Sequence, residues 1–160
     1  MIVVLDNAPL NLFTNPNKKP ETLACREWIK KLIKSRISIC LPEIIYYEAR
    51  RQRLLNKING EPGGLELLEE FKDSETIYYQ PITTEIIIKA TELWALARKK
   101  NESTAHKESI DCDVILAATA IVLAQQEQDY VIVATDNIDD IARYTDAKKW
   151  EDIVMPNKKR

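Results

Sequence analysis

The stretch IVVLDNAPL, Ile2 to Leu10, sets four apolar residues, three of them β-branched, directly before an acid. A run of that kind predicts a strand buried on both faces, the mark of a parallel sheet covered by helices on each side. Asp6 then stands where the strand leaves the sheet, which is the edge at which α/β proteins bind ligands. A second run, Tyr130 to Thr135 (YVIVAT), has the same character and also runs into acid, with Asp136, Asn137, Asp139 and Asp140 at and just beyond its end.

Helical periodicity fills the chain between these two strands. Pro9, Pro16 and Pro20, with Asn15 and Asn17 among them, predict a loop after the first strand. A helix follows from about Glu21 to Ser35, striped by Cys25, Trp28, Ile29, Leu32 and Ile33, then a short strand from Ile37 to Leu41 closed by Pro42. In the next helix, PEIIYYEARRQRLLNKI, the spacing puts Ile44, Tyr47, Leu55 and Ile58 on one face, with Glu48 projecting among them. A carboxylate aimed at a core is costly unless it is paired or bound to a cation. Arg51, one turn on, offers the pair; a functional site offers the other explanation.

Asn59 to Gly64 is a turn holding all three glycines. Beyond it the pattern predicts a helix from Leu65 to Phe71, a strand from Thr76 to Tyr79, and a long helix capped by Thr83 or Thr84. That helix is expected to bury Ile87, Ala90, Thr91, Trp94 and Ala97. Lys99 to Lys107 reads as a polar loop containing His106, which has no Cys or Asp partner nearby and receives no role. The following helix is apolar nearly all round from Val114 to Ala124, with Asp111 and Asp113 in its first turn. Capping explains one acid there better than two. A short helix through Tyr144, an edge strand from Trp150 to Met155 and a solvated basic tail after Pro156 complete the expected order.

The 160 residues, 45% apolar and 30% charged, suit one globular domain spanning 1–160. The first apolar run is too short for a membrane span or a signal peptide, so the expectation is a cytoplasmic protein with no membrane association. Cys25, Cys40 and Cys112 lack zinc-site or disulfide spacing and read as buried small residues. A net charge of −2 argues against an all-over basic nucleic-acid binder. Basic runs at Lys30 to Arg36, Arg50 to Lys57 and Lys158 to Arg160 read as solvated faces or tails.

Strands alternating with helices predict an α/β fold, a three-layer α/β/α sandwich around a mainly parallel sheet. In such a fold strand ends and the following helix starts share one edge, so Asp6, Glu48, Asp113 and Asp136 are expected to converge. Crowded carboxylates raise one another's pKa or share a cation. Oxygen donors without Cys or His favour Mg²⁺ or Mn²⁺, the ions that metal-dependent nucleases and phosphatases use on phosphoryl groups. No GxxxxGK[ST], GxGxxG or GxSxG motif is present. Aspartyl-phosphate phosphatases carry a second Asp two residues after the first; here that position is Ala8.

Taken together, VVLDNAPL with Asp6, LPEIIYYEARR with Glu48, DCDVILAATA with Asp113 and VIVATDNIDDI at a fourth position resemble, in order and over nearly the whole chain, the PIN-domain family, which includes the VapC-type toxins of toxin–antitoxin pairs. The resemblance implies a PIN-like fold and a Mg²⁺- or Mn²⁺-dependent endoribonuclease that hydrolyses RNA phosphodiester bonds with metal-activated water. It implies Asp6, Glu48 and Asp113 as metal ligands. The fourth place falls to Asn137, in register after Thr135, or to Asp136, the nearest carboxylate. Asp111 is an additional acid beside the motif. The resemblance further implies an antitoxin partner and a homodimer. The alternative is a PIN-like module that binds RNA or a partner and has lost catalysis.

Overall fold

The computed structural model describes residues 1–61, 63–100 and 111–155. Its centre is a five-stranded sheet in which every neighbouring pair is parallel, in the order β3-β2-β1-β4-β5. The strands are β1 (Ile2–Leu5), β2 (Ser38–Pro42), β3 (Ile77–Gln80), β4 (Val131–Ala134) and β5 (Ala147–Lys148). Every residue of β1 and β4 is buried, as their β-branched runs predict.

The helices are α1 (Asn7–Phe13), α2 (Pro20–Lys34), α3 (Glu43–Ile58), α4 (Leu65–Lys72), α5 (Thr84–Lys99), α6 (Cys112–Glu127) and α7 (Ile138–Ile141). The chain runs from β1 through β2 to β3 in one direction, then back past β1 to β4 and β5, and parallel connections of this kind are right-handed as a rule. That handedness lays α1 to α4 over one face and α5 to α7 over the other, giving the expected three layers. α6 buries Val114, Leu116, Ala117, Ala118, Thr119, Ala120, Val122 and Leu123, which cover almost its whole circumference.

Several local expectations are corrected. The segment after β1 is a helix, not a loop, because Asp6 caps it through the Asn7 N–H. Pro9 falls in its first turn, where a backbone N–H has no intrahelical partner to lose. α3 is rotated from the predicted face: it buries Ile44, Ile45, Ala49 and Arg53, while Tyr47, Leu55 and Ile58 are exposed. α5 likewise buries Ile86, Ala90 and Ala97, leaving Ile87 and Thr91 outside. Trp150 to Met155 is no strand. Trp150–Asp152 forms a 3-10 turn whose Trp150 ring packs at 5.6 Å on Trp28 of α2, and the edge strand is the two-residue β5 just before it. Cys25 and Cys40 are buried as expected and Cys112 is half-buried. His106 and the tail after Pro156 lie outside the described residues.

Candidate active site

The chain leaves β1 toward β2 and leaves β4 toward β5, on opposite sides, so a crevice opens where these two adjacent strands end. Leu5 and Ala134 are level in the register, which places Asp6 beside Thr135. The Asp6 N–H donates to the Ala134 carbonyl at 3.0 Å. One Asp6 oxygen accepts the Asn7 N–H at 2.6 Å and caps α1; the other accepts the hydroxyl of the fully buried Thr135 at 2.6 Å. The same hydroxyl accepts the Asn137 N–H at 2.8 Å. One threonine therefore fixes both the first acid and the backbone of the fourth position.

Glu48, in the second turn of α3, reaches this pole from the other side. Its Oε2 accepts the Asn7 side-chain amide at 2.9 Å. The expected Arg51 partner is present at 3.6 Å, but its side chain is 59% exposed against 22% for Glu48, and it lies 5.3 Å from the centre of the Tyr47 ring. So open an ion pair contributes little, and it does not account for the position of Glu48.

Asp111 caps α6 by accepting the Val114 N–H at 3.2 Å. Asp113, in the first turn, accepts the Asn137 side-chain amide at 3.2 Å. Both Asn137 and Asp136 are exposed; the Asn137 amide bonds Asp113, whereas Asp136 reaches the site through its charge on Asp6. Asp140, bound to Arg143 at 3.1 Å, adds its charge to Asp113.

These placements have an electrostatic cost. Burial raises the Asp6 pKa, with Glu48 and Asp136 adding to the rise and the bonds from Thr135 and Asn7 opposing it. Asp113 is pushed up to about 6, first by burial, then by Asp6, Asp111, Asp140 and Glu48. The Cys112 thiol, pushed up to about 12 by burial and by Glu48, is inert. Asp6, Glu48 and Asp113 therefore do share one field, as their places in the chain predict.

A divalent cation suits this set of groups. Its charge would relieve the excess of carboxylates, and the Asn7 side-chain oxygen is buried with no donor to meet it. The available donors are all oxygen, the chemistry of Mg²⁺ and Mn²⁺. Among the described residues no three acidic, His or Cys side chains yet close on a single point; Asn7, Thr135 and Asn137 stand between the acids as hydrogen-bonding bridges. Of these bridges, Asn7 was invisible to motif reading, although it directly follows the capping acid.

No family model and no curated protein matches the sequence. Solved structures do. The chain is similar to VapBC2 from Rickettsia felis, bound to a DNA fragment from its promoter, with TM-score 0.70 and 16% identity over 94% of this chain and 99% of that one. It is similar to VapBC-1 from nontypeable Haemophilus influenzae, with TM-score 0.66, 13% identity and coverage of 94% and 99%. It is also similar to VapC20 from Mycobacterium tuberculosis, a toxin that cleaves the sarcin-ricin loop, with TM-score 0.54, 14% identity and coverage of 88% and 94%. The five-stranded parallel sheet and its two helical layers are thus the PIN-like fold of the VapC-type proteins.

Proposed function

We propose that this protein is a Mg²⁺- or Mn²⁺-dependent endoribonuclease that hydrolyses RNA phosphodiester bonds, acting as the toxin of a toxin–antitoxin pair. The observation that carries the reading is that Asp6, Glu48 and Asp113 act on one another's charge at the crevice between β1 and β4, two of them with raised pKa values. The cleavage of the sarcin-ricin loop by VapC20, which shares the fold, supports RNA as the substrate.

Asp6, Glu48 and Asp113 would hold the cation, with Asp136 or Asn137 completing the set. When bound, the cation supplies an activated water and neutralises charge developing on the phosphoryl group. Thr135 holds Asp6 in place, Asn7 orients Glu48, and Asn137 orients Asp113. Without a counter-charge, this pole repels phosphates. An antitoxin partner belongs to the same reading, supported by the VapBC structures that share this fold, and a homodimer is proposed with it. Placement in the cytoplasm goes with it; among the described residues no helix is long and apolar enough to cross a membrane.

Incubation of single-stranded RNA with Mn²⁺ and wild type, Asp6→Ala or Asp113→Ala tests the proposal. Cleavage by wild type alone is expected, and equal cleavage by all three would overturn it. A second reading, a module that binds RNA or a partner without catalysis, draws on the bridged, unclosed arrangement of the acids. Calorimetric titration with Mn²⁺ separates the two: a working site releases heat that Glu48→Gln abolishes, whereas a decayed one binds metal poorly in both forms.

A further inference from the structure

A cavity of about 690 Å³ opens next to the carboxylate pole, between α1 with the segment after it and the outer side of α3. Asn7 and Glu48 belong to both, so the cavity continues directly from the crevice. Its lining differs sharply from the acids. Six side-chain amides face it: Asn7, Asn11, Asn15, Asn17, Gln52 and Asn56. Each amide both donates and accepts.

Arg53 is the second distinctive feature. Its sequence neighbourhood reads as a solvated basic run, yet the residue is only 6% exposed. Its guanidinium donates to the Gly64 carbonyl at 2.9 Å, the Asn11 side-chain oxygen at 2.9 Å and the Thr14 hydroxyl at 2.5 Å. All three acceptors are neutral, and among the described residues no carboxylate lies within ion-pair distance of it. A buried cation without an anion is costly, and its field falls in this hollow, which adjoins the acidic pole.

We propose that this cavity is a subsite for one nucleotide of a single-stranded RNA, adjoining the bond held at the carboxylates. Mixed donor and acceptor amides suit the edge of a nucleobase, and the exposed Arg51 that lines the cavity, backed by the field of the buried Arg53, suits the flanking phosphate. The volume lies within the range of small-ligand sites. An apolar ligand would leave the buried Asn7 side-chain oxygen without a donor, and a metal would find Glu48 as the only carboxylate among the lining residues. In a chain of net charge −2, this local arrangement supplies a grip on RNA that the surface as a whole does not. The inference deepens the ribonuclease reading by naming where a neighbouring nucleotide sits.

Gln52 and Asn56 bond to each other at 3.0 Å and take no part in the carboxylate pole, so Gln52→Leu with Asn56→Leu removes two amides without orphaning a partner. Binding of a labelled short single-stranded RNA is read by fluorescence anisotropy in EDTA, where cleavage is off, with thermal unfolding as the check on folding. Wild type should bind, the double variant about tenfold more weakly. A nucleoside 5′-monophosphate should compete and inorganic phosphate should not. Binding by the double variant as tight as that of the wild type, or displacement by phosphate alone, would each overturn the subsite. Cleavage with Mn²⁺ is scored separately. A nuclease that ignores the double substitution defeats only the subsite, and binding that needs Gln52 and Asn56 in a protein that never cleaves defeats only the nuclease.

Discussion

Replacing Asp113 by Asn should stabilise the metal-free protein above neutral pH. Burial and four neighbouring acids raise this carboxyl from 3.8 to about 6 in the folded state. A carboxyl whose folded pKa is raised favours folding while protonated, and that contribution is lost as pH climbs from its unfolded value through its folded one. The window here runs from about pH 4 to pH 6. A rise of this size corresponds to ~3 kcal/mol for a fully buried group. Asp113 is half-buried, and solvent screening reduces the figure to ~1–1.5 kcal/mol. For a chain of this length that is a rise in Tm of about 2–5 °C. Asn keeps an oxygen for the Asn137 amide, so no partner is orphaned. Thermal unfolding in EDTA should show the variant ahead at pH 7.5 and level with wild type near pH 4. Added Mn²⁺ should then raise the wild-type Tm and leave the variant nearly unmoved. A variant less stable than wild type at pH 7.5, or an advantage independent of pH, would refute the electrostatic account of this pole.

Thr135→Val removes the hydroxyl shared by Asp6 and the Asn137 N–H; urea titration should show a loss of ~1–3 kcal/mol, together with weaker Mn²⁺ binding by calorimetry. Gly64→Ala adds a Cβ 2.8 Å from the Thr14 carbonyl oxygen at a residue with φ of +62°, and should cost at least ~1–2 kcal/mol in the same assay. Leu41→Ala empties a fully buried position in the sheet and should cost ~2–5 kcal/mol.

The parts of the structure legible from the residues are those set by composition over several positions. β1 and β4 are buried on both faces and α6 around almost its whole circumference, as runs such as VIVA and VILAATAIVLA require. The acids at their ends follow from that placement alone. What escaped notice depended on one residue meeting another far away. Pro9 reads as a loop until Asp6 is known to cap the helix that contains it. The face of α3 turns on Arg53, whose charge argues for solvent while its three bonds to neighbouring segments hold it inside. β5 is two residues long, and its place at the edge is set by backbone pairing with Val133 and Ala134, which no side-chain pattern records.

The bond between Thr135 and Asp6 spans 129 positions of chain. A chain made from its amino terminus exposes the far edge of β1 until Val131 to Ala134 have been synthesised, and only then can the first acid be fixed against its threonine. While residues 7 to 134 are being made, the first acid therefore stands apart from the threonine that will hold it. If the chain hydrolyses RNA as proposed, its site assembles only after that stretch has emerged.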